Sequence, residues 1–167
     1  MSPCVELIEA GPEYQHSLEN LLELYIHDFS EFVSVDVKED GRFGYPGLPL
    51  YWREPRRKPY LARIEGKLAG FALVTRGPGL FADSEVWDMA EFFVLRRYRH
   101  CGVGGQLARE IWRLLPGKWQ IRVKSNNLPA LKFWESAIAK LAESPITPQD
   151  FEVQKVAWKV FLFQSWG

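Results

Sequence analysis

One stretch constrains the fold more than any other. In Glu91-Phe-Phe-Val-Leu-Arg-Arg-Tyr-Arg-His-Cys-Gly-Val-Gly-Gly105 an apolar strand runs through a short loop into an amphipathic helix. The loop has the form Arg-x-x-Gly-x-Gly, fixed by Arg99, Gly102 and Gly104, with His100, Cys101, Val103 and Gly105 around them. Such a loop turns successive backbone N–H groups and a helix N-terminus toward one point, which suits a phosphate or pyrophosphate. A second segment, Asn127-Leu-Pro-Ala-Leu-Lys-Phe-Trp134, follows at the distance of one further strand and opens another helix.

The rest of the chain fits one domain around this unit. Its 167 residues are 47% hydrophobic and include 11 Phe, 7 Trp and 6 Tyr, enough for one sizeable core and not for two. Lys+Arg and Asp+Glu both number 21, so bulk charge favours neither nucleic acid nor an anionic membrane as partner. Cys4 and Cys101 form no C-x-x-C pair, and no metal site or disulfide framework is expected. The N-terminus has no signal-peptide pattern and no apolar run nears the ~20 residues that span a bilayer. The expectation is a cytoplasmic domain.

Val5–Ile8 reads as a strand, and Leu18, Leu21, Leu22, Tyr25, Ile26 and Phe29 mark a helix over residues 13–30. Residues 31–59 lack a period, are broken by Gly and Pro, and carry Phe43, Tyr45, Tyr51 and Trp52; they read as a folded flap with one short helix. Tyr60–Ile64 and Leu68–Val74 form a hairpin about Glu65-Gly66-Lys67. Val86–Leu95 is apolar on both faces and therefore central. The helix after the glycine loop, the strand Trp119–Lys124 and the helix from Pro129 come next. Phe151–Val156 and Ala157–Gln164 close the chain as strands with an ill-defined turn. The order β-α-flap-β-β-β-α-β-α-β-β is that of one α/β sheet with helices on its faces.

Order and motifs together resemble the GNAT superfamily of acyl-CoA-dependent N-acyltransferases. Its Gln/Arg-x-x-Gly-x-Gly/Ala loop is matched by Arg99–Gly104, and its Asn-x-x-Ala-x-x-Phe-Tyr by Asn127, Ala130 and Phe133, with Trp134 in place of tyrosine. The likeness is carried by residues 60–140. It implies a single-domain, mixed and mostly antiparallel sheet, splayed between strands 4 and 5 and flanked by helices on both faces, with acetyl-CoA in the cleft. The backbone of the loop would hold the pyrophosphate. The backbone of Phe93 and Val94 would pair with the pantetheine arm, Asn127 would hydrogen-bond it, and the helix bearing Ala130, Phe133 and Trp134 would lie beside the thioester. An N–H near Val94 would polarise the thioester carbonyl.

Acetyl transfer to a lysine-like amine of pKa ~10.4 requires a base, because most of the amine is protonated at neutral pH. Glu91 and Asp88 are the candidates. Glu91 is the first choice, because it sits among apolar residues where desolvation would raise its pKa. On a regular strand Asp88 would face the other way; a bulge, frequent in the family, would change that. Either acid could instead pair with Arg63 or Arg122. Indole is no practical proton donor, so Trp134 leaves the acid role open, with Tyr98, Tyr45 and Tyr51 as substitutes or none needed. A nucleophilic Cys101 beside His100 is disfavoured, since sequence neighbours seldom form a dyad. Tyr45 and Trp52 are the candidate substrate contacts, and Arg53, Arg56, Arg57 and Lys58 form either a solvated face or an anion-binding patch. Asp28, Glu31, Asp36, Glu39 and Asp40 near the flap are read as a possible lure for a cationic amine or as solvated surface. The expected activity is acetyl transfer from acetyl-CoA to a small amine or peptide in a ternary complex. The alternatives are a non-catalytic acyl-CoA-binding regulatory module and a nucleotide site. The apolar Val160–Phe163 permits a homodimer without demanding one.

Overall fold

A computed structural model describes residues 3–81 and 84–167. The strands are β1 (Glu6–Glu9), β2 (Arg57–Ile64), β3 (Lys67–Pro78), β4 (Glu85–Val94), β5 (Gly117–Lys124), β6 (Gln149–Val153) and β7 (Val156–Ser165); the α-helices are α1 (Gln15–Phe29), α2 (Val103–Leu114) and α3 (Leu128–Ala142). They form one sheet in the order β1-β2-β3-β4-β5-β7-β6. Every pair is antiparallel except β4 with β5. The expected α/β architecture is therefore present. The flap between α1 and β2 holds a single 3-10 turn, Leu48–Trp52, as expected.

Local chemistry explains the turns. Glu65 and Gly66 both take positive φ, 49° and 73°, the pattern of a two-residue hairpin turn whose twist matches the strands it joins. Gln154 and Lys155 do the same between β6 and β7, at 50° and 63°. No glycine or asparagine marks that second turn, which is why the sequence left it undefined. Strands β2 and β3 extend beyond their apolar cores to Arg57 and Pro78 because their outer residues pair although they are polar.

Two apolar layers cover the sheet. Leu107, Ile111 and Trp112 of α2 and Trp134 and Ile138 of α3 pack with Met89, Trp119 and Ile121 on one face. Leu18, Leu21 and Leu22 of α1, with Leu48 and Tyr51 of the flap, pack with Leu61, Phe71, Leu73 and Phe93 on the other. The apolar run Val160–Phe163 lies in β7 between β5 and β6, with Val160 and Phe161 fully buried, so its composition is explained within one chain. Among the described residues no helix is long and apolar enough to cross a membrane.

Two irregularities in β4 set up the site. Leu73 pairs with Glu91 but Val74 pairs with Met89, so Ala90 is an extra, unpaired residue: a β-bulge. On the other side β4 pairs with β5 only at Trp87–Trp119 and Asp88–Gln120, and beyond that point the two strands part. The β3 edge of β4 stays closed because Gly70 lets the strands approach; a Cβ there would overlap the Phe93 carbonyl oxygen and reach within 3.2 Å of Val94 Cα. Gly70→Ala should therefore destabilise the protein by about 1–3 kcal/mol, the usual cost of overpacking, read as a lower urea midpoint at unchanged m-value.

Candidate active site

The parting of β4 from β5 places three backbone features at one mouth. Leu95 N–H donates to the Ala69 carbonyl at 2.8 Å. In the antiparallel alternation its neighbour Val94 then turns N–H and C=O away from β3, into the opening. Phe93, one residue back, directs its peptide groups at β3. The Val94 carbonyl accepts a 2.7 Å hydrogen bond from Arg99 Nε. That leaves the Val94 N–H as the group aimed into the gap.

The loop follows directly. His100 and Gly102 adopt left-handed conformations, φ 62° and 87°, and Gly102 caps α2. The N–H groups of the first turn of α2, including those of Val103, Gly104 and Gly105, have no partner inside the helix and point outward from its start. Gly104 is required by packing: a Cβ there would come within 3.0 Å of the Phe133 ring and 3.6 Å of Val94. Arg99 does not project into the loop's concavity. It donates to Asp28 at 2.6 Å and lies over the Phe93 ring at 5.4 Å, while Arg96 takes the other Asp28 oxygen at 2.7 Å. Burial pushes the Asp28 carboxyl up, but hydrogen bonds and charge from the two arginines outweigh it and leave the pKa below the usual range. Asp28 thus anchors the loop to α1, so it is neither a lure for amines nor solvated surface. His100 and Cys101 are exposed, and the Cys101 thiol donates to the Tyr98 carbonyl at 2.9 Å.

Asn127 caps α3, its Oδ1 accepting the Ala130 N–H at 3.2 Å. Trp134 is buried in an aromatic cluster, 4.8 Å from Phe92 and from Phe133 and 6.2 Å from Trp112. Phe32 bridges the gap from the α1 side: its carbonyl accepts from Lys124 Nζ at 3.1 Å and Asn126 Nδ2 at 3.2 Å.

The bulge at Ala90 corrects the facing expected of a regular strand, because it brings Asp88 and Glu91 to the same side. Both line a cavity of 380 Å³ on the α1 face, with Tyr45, Tyr51, Arg57, Gln120 and Arg122 among its walls. Their environments differ. Asp88 is buried and fully engaged: Gln120 Nε2 donates to it at 2.5 Å and Arg122 Nε lies at 2.8 Å. The ion pair with Arg122 is the one the sequence allowed; Arg63 instead lies 5.8 Å from the Tyr14 ring.

Among the described residues Glu91 has no cation in contact. Tyr25 donates to one oxygen at 2.6 Å and Tyr45 to the other at 3.0 Å. Desolvation raises its pKa above the ordinary 4.5, and the two phenols and the more distant Arg122 charge only partly offset that. The phenols are raised as well, each chiefly by burial and next by the Glu91 charge, Tyr51 to about 12. They hold their protons at neutral pH and act as donors. Tyr45 is placed by Glu23 of α1, whose oxygens accept the Phe43 and Gly44 N–H groups at 2.7 and 2.8 Å.

Several contributors were not visible in sequence. Tyr25 lay within an apolar helical stripe, and nothing in the sequence marked Glu23. Gln120 meets Asp88 only through the short β4–β5 pairing. Trp52 stands apart: its indole donates to the Ala10 carbonyl at 2.8 Å, and it lines a neighbouring cavity. Of the basic segment, Arg56 pairs with Glu85, Arg57 with Glu54 and Lys58 with Glu9.

The strand split, the glycine-capped helix and the desolvated Glu91 all lie on or directly after β4. The acetyltransferase (GNAT) family model matches residues 18–138, and the chain belongs to that family. No curated protein matches the sequence. Among solved structures it is similar to aminoglycoside acetyltransferase AAC(6')-Ib in complex with coenzyme A, at 17% identity and TM-score 0.70, over 96% of this chain and 95% of that one. An acetyltransferase from Thermus thermophilus matches at 14% identity and TM-score 0.69 over 98% of both chains. Arabidopsis thaliana NAA60, in complex with a bisubstrate analogue, matches at 12% and 0.63 over 96% and 98%. At these identities the likeness establishes the shared fold.

The raised Glu91 pKa has a stability signature. Between the unfolded value near 4.5 and the higher folded value the native state binds more protons, so stability falls as pH rises through that window. Glu91→Gln removes this loss. The variant should gain stability relative to the parent from pH 4 to pH 8, read from paired urea titrations, whereas a constant difference would contradict the raised pKa.

Proposed function

We propose that the protein is an N-acetyltransferase that moves an acetyl group from acetyl-CoA to a primary amine by direct attack in a ternary complex. The observation that carries this reading is Glu91: a desolvated carboxylate without a cation in contact, held by two phenols on the bulged strand that also forms the edge of the split. Asp88, by contrast, already has its oxygens engaged by Arg122 and Gln120.

The residues fit the cosubstrate. The outward N–H groups at the start of α2, behind the Gly102 cap, suit a pyrophosphate. The Val94 N–H faces the gap where the pantetheine arm and thioester carbonyl would lie. When bound, acetyl-CoA supplies an acetyl group activated as a thioester. Asn127, occupied on its Oδ1 by the cap, keeps its amide nitrogen for the pantetheine.

On the acceptor side Glu91 removes the ammonium proton. A carboxylate offers about four lone-pair sites, and Tyr25 and Tyr45 use two, so room for the amine remains. The phenols fix the carboxylate and soften its negative charge without surrendering protons. Trp134 contributes packing. A thiolate of pKa ~8.5 leaves without a dedicated acid, so no phenol need replace the family's tyrosine.

Glu91→Gln should lower kcat by ~10²–10⁴, the range for a lost general base, with acetyl-CoA affinity within about twofold of the parent. The parent's kcat/KM should rise with pH along a limb set by Glu91, and the variant should lack that limb. Unchanged kinetics would exclude Glu91 as base; full affinity with no CoA release from any amine would favour a binding-only regulatory module. Gly102→Val should abolish acetyl-CoA binding while far-UV circular dichroism stays native, because a side chain there intrudes where the phosphate meets the backbone.

A further inference from the structure

The wall of the Glu91 cavity carries a feature the transfer reaction does not require. Tyr45 donates to Glu91, Tyr51 stands next along the flap, and the Arg57 guanidinium lies over the Tyr51 ring at 5.4 Å. Tyr51 feels the charges of both Glu91 and Arg57. A polar track thus runs from the carboxylate to a fixed cation. Arg57 and Tyr51 also line the adjoining 530 Å³ cavity, where Arg53 and Lys58 stand on the far side. The two cavities share this one wall.

We propose that the acceptor is an amine carrying an anionic group, carboxylate or phosphate, with its ammonium at Glu91 and its anion at Arg57. The inference rests on the transferase reading above. Arg57 pairs with Glu54 through Nε at 2.5 Å. A guanidinium has five N–H donors, more than one carboxylate can accept, and its planar fork suits a second carboxylate or a phosphate. Glu54 lines only the neighbouring cavity, and among the described residues neither acid of the Glu91 cavity, Asp88 or Glu91, forms an ion pair with Arg57. On the other side of Glu91 the cation is Arg122, already bound to Asp88. A polycation entering here would meet arginines on both flanks, whereas a zwitterion is matched at both ends. Apart from the two tyrosines, the apolar lining consists of small groups such as Val86, Ala90 and Pro78, which gives a hydrophobic amine little to bury.

The test compares matched amines with and without the anion, in two forms so that the two sources of charge are told apart: aminohexanoate against hexylamine, and phosphoethanolamine against ethanolamine, with spermidine as the polycation. CoA release by the purified protein is measured for each. The anionic member of at least one pair should exceed its partner in kcat/KM by roughly tenfold or more, with the larger ratio identifying carboxylate or phosphate. Arg57→Gln should reduce that ratio toward unity by raising KM with kcat little changed, and Arg57→Lys should restore most of it. Equal use of the members of both pairs, or a preference for spermidine, would overturn the proposal. Calorimetric binding of the same amines to the CoA-loaded protein reads the preference even if no amine is acetylated. A silent CoA-release assay with a retained anion preference would count against the transferase reading alone, and absence of the preference in binding would count against the acceptor class alone.

Discussion

Strand β4 cannot satisfy both of its neighbours along its whole length, and the rest of the site depends on that. Toward β3 it pairs to its end, helped by the close approach that Gly70 permits. Toward β5 it pairs at two positions and then separates. Backbone groups freed by a split strand must find other partners, because an unpaired buried peptide group is costly. Arg99 takes the Val94 carbonyl. The Val94 N–H is left for a guest, and so are the N–H groups at the start of α2. Backbone donors at the mouth of a cleft suit an extended, anion-bearing ligand.

The bulge at Ala90 is the second half of the same device. It rotates β4 so that Asp88 and Glu91 share a face, and it does so at the point where the strand leaves β5. The two acids are then separated by their partners rather than by position. Arg122 and Gln120 clamp one as an ionised structural group that ties β4 to β5. Phenols from α1 and the flap hold the other in a less polar setting, where its proton affinity rises. Two carboxylates three residues apart thus acquire different environments from their surroundings.

Much of this was legible in the residues. The glycine loop, the Asn127 segment and the order of elements specified the family and the sheet, and the apolar context of Glu91 pointed to the more desolvated setting that the structure gives it. The facing of Asp88 was not legible, because a bulge is decided by pairing across two strands and leaves no mark at Ala90. Tyr25 was hidden because a tyrosine on an apolar stripe reads as core, and its hydroxyl finds Glu91 only once α1 lies on the sheet. The basic run at Arg53–Lys58 looked like one patch, yet pairing with Glu85, Glu54 and Glu9 gives Arg56, Arg57 and Lys58 each its own surroundings and leaves Arg57 beside the Glu91 cavity.

The central claim is that the β4–β5 split with the Gly102 loop is a site for an acyl-CoA. Calorimetric titration of the protein with acetyl-CoA, beside ATP and NAD, addresses it most directly. The account predicts one site per chain, selective for acetyl-CoA over both nucleotides. Absence of acetyl-CoA binding, or a preference for either nucleotide, would contradict it.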